Sequence, residues 1–256
     1  MKTFFKISSK EKAKITFIGV GSAFTKKNYN SSFILEVNDK KLLVDCGRTC
    51  PEALLEQEIK WHDIDAVYIS HAHADHIGGL EEFAFTRMFV PPKIDKPILF
   101  CESKTLKDLW EHSLKGGLEP GKNRDMLLDD YFDPKYVDEK FTWQEIDFEI
   151  FPVNHLMKSY GLAFEVGNDS ILFSSDSIFD SAELKRRYED ATIIFQDCET
   201  SKGKSGIHAH YSELKELSKE IKEKMWLYHY QDGELPSFKD DGFAGFVNVG
   251  QTFEVG

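Results

Sequence analysis

The sequence is poor in the features that mark secreted and membrane proteins. Its 256 residues contain only four cysteines, Cys46, Cys50, Cys101 and Cys198, and their spacing lacks the paired pattern of a disulfide framework. No apolar run approaches the roughly 20 residues that a membrane span requires. The opening residues, 1–6 (MKTFFK), lack the apolar stretch of a signal peptide. These absences predict a reduced, cytoplasmic protein that does not associate with a membrane.

Positive charge is also in the minority. Lys and Arg number 32 against 44 Asp and Glu, which gives a net charge of −12. A negative field repels nucleic acid and anionic membranes, so we expect no stably bound nucleic acid and a local positive site for any anionic substrate. Repeats, low-complexity tracts and linkers are missing as well. Because this length suffices for one hydrophobic core, we expect residues 1–256 to form a single domain.

What the sequence does have is a dense histidine cluster at residues 70–79 (SHAHADHIGG). His71, His73, Asp75 and His76 supply four imidazole or carboxylate donors, which are the ligands that zinc and similar divalent ions prefer. The small residues between and behind them permit close approach of the backbone. An apolar run at 64–69 is typical of a strand, so the sequence predicts a metal site where this strand ends.

Three later strands are each predicted to end just before a further candidate ligand, namely His155, Asp176 or His229. In layered α/β folds, functional side chains gather at one end of a sheet. A lone histidine at a strand end is most often structural, but the repeated pattern indicates one convergent site. These strands are predicted at 148–153, 170–174 and 225–228.

Hydrophobic periodicity and turn residues predict the remaining elements. The glycines of residues 19–24 (GVGSAF) begin like a dinucleotide-binding fingerprint, but Phe24 stands where the third glycine belongs, so we interpret this stretch as a loop beside the site. Residues 116–133 are predicted to form a long polar connection, either a lid or a solvated excursion. Strands are predicted at 14–20, 31–37, 41–44, 97–101 and 192–195, and helices at 51–57, 80–89, 103–114 (capped by Ser103) and 212–222.

Together, the ligand candidates resemble the metallo-β-lactamase superfamily over essentially the whole chain. Within the superfamily they resemble the branch that contains ribonuclease Z and phosphodiesterases, because Asp176 stands at the bridging position and no cysteine ligand is present. The resemblance implies an αββα four-layer sandwich with two zinc ions per chain at its edge, and manganese stays possible. It also implies that His71, His73 and His155 bind the first metal, that Asp75, His76 and His229 bind the second, and that Asp176 bridges both.

Proton transfer is expected from residues 206–212 (GIHAHYS). Ribonuclease Z places a histidine just ahead of the helix that leads to the last metal ligand. His208 is therefore our first candidate for the general acid and His210 the second, with Asp197 expected to orient it. The alternative is that both histidines only cap the helix. Asp75 is expected to hold the nucleophilic water and accept its proton as well as to bind metal.

The predicted substrate is small. The long basic arm that bacterial transfer-RNA enzymes insert between the ligands corresponding to His155 and Asp176 is missing here. Residues 19–24, 127–133 (LLDDYFD) and 207–211 (IHAHY) resemble the anti-Pycsar phosphodiesterases of phages and bacteria. That resemblance implies hydrolysis of 3′,5′-cyclic mononucleotides such as cyclic CMP and cyclic UMP in the cytosol of bacteria or phage-infected hosts. It further implies a homodimer in which a loop of the partner subunit helps to cover the site.

Candidate substrate contacts are Asn28 and Asn30 in the first loop, for which a solvated turn is the alternative, and Tyr131 in the long connection. Three other functions stay open. A transfer-RNA 3′-processing endonuclease would need another way to grip RNA, and a lactone or thioester hydrolase could use the same metals. A non-catalytic metal or ligand sensor is the third, although the complete ligand set argues against it.

Overall fold

Two seven-stranded β-sheets organise the residues that the computed structural model describes, 12–179 and 182–256. The first sheet has the order β14-β1-β2-β3-β4-β5-β6 and contains β1 (Ala13–Gly19), β2 (Ser32–Val37), β3 (Lys40–Val44), β4 (Ala66–Ile69), β5 (Ile98–Glu102), β6 (Asp133–Val137) and β14 (Thr252–Val255). The second has the order β13-β12-β11-β10-β9-β8-β7 and contains β7 (Lys140–Trp143), β8 (Ile146–Val153), β9 (Ser159–Val166), β10 (Asp169–Phe173), β11 (Ile193–Asp197), β12 (Met225–Tyr228) and β13 (Gly245–Phe246). Residues 1–6, to which the signal-peptide prediction applies, lie outside the described residues.

Alternating side chains of the first sheet enter two separate cores. Phe33 faces the space between the two sheets, whereas Ile34 faces the helices on the outer side, because successive side chains of a strand point to opposite faces. The shared core is largely aromatic: the rings of Phe17 and Phe195, from different sheets, lie 4.9 Å apart at their centroids. Burial on both faces explains why these strands are continuously apolar.

Helices cover the outer faces of the sheets. Leu54, Phe83 and Leu106 anchor the helices on the first sheet, and Leu184 and Leu214 anchor those on the second. The order helix, sheet, sheet, helix is the predicted αββα sandwich. The helices are α1 (Cys50–Glu56), α2 (Ala74–Ile77), α3 (Leu80–Phe89), α4 (Ser103–Leu109), α5 (Lys115–Leu118), α6 (Leu128–Tyr131), α7 (Ala182–Asp190), α8 (Tyr211–Leu214), α9 (Lys219–Lys222) and α10 (Phe238–Asp241).

A π-helical turn, Trp110–Leu114, joins α4 to α5, and a 3₁₀ turn, Trp61–Asp63, precedes β4. Among the described residues, none of the helices has the length and apolar character needed to cross a membrane. The element predictions for α3 and β12 are confirmed at the predicted bounds.

Three element predictions are wrong. The helix predicted at 212–222 is two short helices, α8 and α9, because Ser218 adopts extended dihedral angles between them. The connection at 116–133 contains α5 and α6, whose Leu118 and Leu128 are buried against the first sheet. Helix α4 is capped by Glu102 instead of Ser103, since the Glu102 carboxylate accepts the Thr105 backbone N–H at 2.8 Å.

Candidate metal centre

The predicted ligands come together at one edge of the sandwich. Strands β8 and β10 run in the same direction through their shared antiparallel neighbour β9, and β10 is parallel to β11 and β11 to β12. His155, Asp176 and His229 therefore leave the second sheet at the same edge. Helix α2, which directly follows β4, carries Asp75 and His76. Gly47 lets the backbone approach α2 closely, since a Cβ atom at this position would lie 2.0 Å from the carbonyl oxygen of Asp75.

The first ligand group consists of His71, His73, His155 and Asp176, whose donor atoms lie within 4.8 Å of one another. His73 Nδ1 lies 3.0 Å from His71 Nε2 and 3.2 Å from His155 Nε2. Burial lowers the pKa of all three histidines, which favours the neutral imidazole that a metal requires. Three neutral nitrogens and one carboxylate oxygen match the ligand set of a zinc site.

The second ligand group consists of Asp75, His76, Asp176 and His229, so Asp176 belongs to both groups. Its Oδ2 atom lies 3.3 Å from His76 Nε2 and 3.4 Å from His229 Nε2. Burial raises the pKa of Asp176, but His229 and His76 outweigh it and hold this pKa well below its usual range. Burial lowers the pKa of His229, whereas Asp176 and the other nearby carboxylates raise it to about 10.

Two buried atoms of the second group indicate that it fits a cation. His76 Nε2 and Asp176 Oδ1 make no hydrogen bond within the described part of the chain. Buried polar atoms are rarely left without a partner, because burial removes their water contacts at a free-energy cost. These donors would find the missing partner in a bound divalent ion. The donor set and its unsatisfied atoms therefore fit a divalent metal ion.

Contacts at Nδ1 orient four imidazoles so that their Nε2 atoms face the other candidate ligands. His71 Nδ1 lies 3.1 Å from Ser70 Oγ, and His155 Nδ1 lies 3.0 Å from the carbonyl oxygen of Ile207. Such contacts select the tautomer and fix the ring before metal binds. Asp45 holds His76 in the same way, at 2.8 Å from Nδ1. His229 Nδ1 lies 3.2 Å from Asp197 Oδ1, an ion-pair contact without hydrogen-bond geometry.

Asp45 is a functional residue that the sequence analysis missed. Its Oδ2 atom lies 2.8 Å from His76 Nδ1 and also accepts the Ser70 hydroxyl at 2.7 Å, while Oδ1 accepts the Ser70 backbone N–H at 2.8 Å. The buried carboxylate of Asp45 thus holds His76 directly and His71 through the Ser70 hydroxyl. The one sequence feature that could have identified Asp45 is its position directly after β3. In the structure, β3 pairs in parallel with β4.

His208 and Asp197 form a pair beside the second ligand group. His208 Nδ1 lies 2.8 Å from Asp197 Oδ2, and Asp197 Oδ1 lies 3.2 Å from His229 Nδ1. Burial lowers the pKa of His208, but Asp197 outweighs this effect and the pKa is raised. Because Nδ1 is held by Asp197, Nε2 is the nitrogen of His208 that can exchange a proton with a substrate.

His210 has the structural role that the sequence analysis left as an alternative. It is the N-cap of α8, and its Nδ1 atom accepts the Ser212 backbone N–H at 3.2 Å. Its Nε2 atom lies 2.9 Å from the carbonyl oxygen of Ser201. Both ring nitrogens are therefore engaged within the loop and the helix, so the structure favours His208 over His210 as the proton donor.

The three predicted substrate contacts are engaged within the protein. Asn30 is buried, and its amide donates to the carbonyl oxygen of Ser22 at 3.2 Å. Tyr131 is buried against the first sheet, where its hydroxyl donates to the carbonyl oxygen of Leu118 at 2.8 Å. Packing thus corrects the expectation for these two residues, whose roles are structural. Asn28 lies in the first loop and is half-buried, so a substrate contact there stays a prediction.

The fold and the two ligand groups that share Asp176 define a metal-dependent hydrolase of the metallo-β-lactamase fold. The chain is similar to the metallo-β-lactamase fold protein YhfI from Bacillus subtilis, with a TM-score of 0.76, 18% identity, and coverage of 96% of this chain and 100% of that one. The family model for the anti-Pycsar protein Apyc1 matches residues 13–253. The chain belongs to this anti-Pycsar family, as the resemblance predicted.

Two relatives named anti-Pycsar protein Apyc1 are similar along most of their length. The protein from Paenibacillus harenae is 39% identical over 227 residues, which covers 85% of this chain and 90% of that protein. The protein from Bacillus phage BSP38 is 36% identical over 256 residues, which covers 94% of this chain and 97% of that protein. The family therefore includes both bacterial and phage members.

Proposed function

We propose that this protein is a dinuclear phosphodiesterase that hydrolyses 3′,5′-cyclic mononucleotides, such as cyclic CMP and cyclic UMP, to nucleoside monophosphates. The observation that carries the proposal is Asp176, which belongs to both ligand groups and lies within reach of the His208–Asp197 pair. The anti-Pycsar name of the relatives supports the biological role. In that role the enzyme removes a cyclic-nucleotide signal of an anti-phage defence.

Two divalent metals are proposed to occupy the two ligand groups, zinc first and manganese as the alternative. When bound, such a pair supplies Lewis acidity for a phosphoryl group and lowers the pKa of a water nucleophile. Five histidine nitrogens and two carboxylates hold the pair, and this nitrogen-rich set favours zinc. The first group is His71, His73 and His155, the second is Asp75, His76 and His229, and Asp176 belongs to both.

His208 is proposed to protonate the leaving oxygen of the substrate. Asp197 accepts the Nδ1 proton of His208, which fixes the ring and leaves a proton at Nε2 for transfer. Asp197 also lies against His229, so one carboxylate positions both a ligand and the proton donor. Asp75 is proposed to orient the attacking water and accept its proton.

The shape of the chain around the ligands supports a small substrate. Between His155 and Asp176 the described chain forms only β9, β10 and their turns, without an arm that could grip a transfer RNA. The net charge of −12 also disfavours a polyanionic ligand. We further propose that the protein acts in the cytosol as a homodimer, which sedimentation of the purified protein tests.

A substrate panel tests the proposal. Metal-loaded protein is assayed with cyclic CMP, cyclic UMP, a cyclic dinucleotide, a precursor transfer RNA and an acyl lactone. We expect turnover of the cyclic mononucleotides and its loss in Asp75→Ala. Asp65→Ala, which removes a half-buried carboxylate that pairs with Lys40 and accepts the Lys41 backbone N–H, each at 2.9 Å, is the matched control and keeps full activity. Turnover of the lactone or the transfer RNA without turnover of cyclic mononucleotides would contradict the proposal.

A further inference from the structure

The loop that joins β1 to β2 presents an unusually exposed aromatic ring, Phe24. Phe24 is 83% exposed, the highest value among the large apolar side chains of the described residues. Single exposed apolar side chains are common on protein surfaces. The position of this one and the rigidity of its loop distinguish it from a chance exposure.

Asp232 holds the loop in place from the other end of the chain. Its carboxylate accepts the Thr25 hydroxyl and the Lys26 backbone N–H, both at 2.6 Å, and the Asn28 amide at 3.0 Å. The Arg48 guanidinium also donates to the carbonyl oxygen of Ala23, next to Phe24. These contacts fix the backbone on both sides of the ring, so Phe24 needs little further ordering to contact a ligand.

The loop also lies directly against the segment that supplies a metal ligand. The His229 backbone N–H donates to the carbonyl oxygen of Val20 at 2.7 Å, and the Ser22 N–H donates to that of Tyr230 at 3.1 Å. Near the first ligand group, Leu156 directly follows the ligand His155 and is 69% exposed. The loop that carries Phe24 therefore contacts a candidate ligand of the second group, and the exposed Leu156 follows one of the first.

We propose that Phe24 stacks on the nucleobase of the substrate and makes the enzyme selective for nucleotides over other phosphodiesters. The inference rests on the proposed function, because it assumes that a cyclic nucleotide occupies the centre. Every nucleobase has a π-face that can stack on an aromatic ring, so this contact tolerates different bases. Phe24 is a specificity-determining residue and takes no part in the chemical step.

Two substrates that differ only in the base test this role. Cyclic UMP and the corresponding base-free ribose 3′,5′-cyclic phosphate have the same reacting phosphodiester. In Phe24→Ala we expect KM for cyclic UMP to rise about tenfold with little change in kcat, and the kinetics of the base-free compound to stay unchanged. Phe24→Trp should keep the low KM. Phe89→Ala, which removes a ring that is 64% exposed at the end of α3, is the matched control and should behave like the wild type.

The other outcomes separate this inference from the proposed function. Equal effects of Phe24→Ala on both substrates, or none on either, would overturn the stacking role while wild-type turnover of cyclic UMP still supports the function. Equally slower turnover of both substrates by Phe24→Ala, together with dissociation of a dimer in sedimentation, would show that Phe24 is a subunit contact. That result would also overturn the stacking role. A wild-type protein that hydrolyses the base-free compound and not cyclic UMP would overturn both.

Discussion

Replacing His208 with alanine should slow the enzyme most on substrates with poor leaving groups. His208 Nδ1 is held by Asp197 at 2.8 Å, so a single ring nitrogen faces the substrate and the variant loses the whole proton transfer. General acid catalysis contributes about 10²–10⁴-fold, which corresponds to roughly 3–5 kcal/mol of transition-state stabilisation. We expect kcat on cyclic UMP, whose leaving group is a ribose oxygen, to fall by that factor.

The assay compares cyclic UMP with an activated p-nitrophenyl phosphodiester. A p-nitrophenolate leaves without protonation, so His208→Ala should reduce kcat on this ester by less than about tenfold. Metal content should stay at the wild-type value, because His208 is not a proposed ligand. His210→Ala is the matched control, since His210 lies two residues away and only caps α8. That variant should keep its activity and lose about 1 kcal/mol of stability.

Equal slowing on both substrates would refute the general-acid assignment. It would indicate that His208 acts through the metal centre, whose nearest carboxylate, Asp176 Oδ2, lies 3.9 Å from His208 Nδ1. Unchanged kinetics on cyclic UMP would refute the assignment as well. A loss of activity in His210→Ala as large as that in His208→Ala would show that the loop, and not one imidazole, is responsible.

Three further predictions concern the support of the site and the core. Asp45→Asn should weaken metal binding about 10–100-fold, as measured with a competing chelator, and unchanged affinity would contradict its role in orienting His76. In the metal-free protein, burial lowers the pKa of His76 and His229, but the surrounding carboxylates outweigh it, raising the pKa of His76 well above its usual range and that of His229 to about 10. Zinc binding at pH 7 should therefore release about two protons in calorimetry and strengthen as the pH rises towards 10; affinity independent of pH would contradict this. Phe17→Ala should lower the free energy of unfolding by about 3–5 kcal/mol, and a loss below 1 kcal/mol in urea unfolding would contradict the aromatic core between the sheets.

The convergence of the candidate ligands was predictable because their signal is local. His71, His155, Asp176 and His229 each stand one to three residues after a short apolar strand, and parallel strand ends meet at one edge of a sheet. Asp45 has the same placement, but its task of holding His76 depends on which strands are neighbours. Pairing of β3 with β4 is a long-range property that a strand pattern does not contain.

The roles that sequence could not assign depend on burial and side-chain direction. His208 and His210 are two residues apart in one motif, and only the structure shows that Asp197 binds the first while the second caps a helix. Tyr131 lies in a polar stretch, yet α6 turns it into the core. Tertiary packing decided these cases, because polar composition alone does not fix which side chains of a segment are buried.

We propose that hydrolysis of a cyclic mononucleotide requires two metals held around Asp176. The most direct test of this requirement is a titration of metal-free protein with zinc while cyclic UMP turnover is followed, with manganese in parallel. We expect no turnover without metal and a plateau at two equivalents per chain, with Asp176→Ala inactive throughout. Full activity in the metal-free protein, or a plateau at one equivalent, would contradict it.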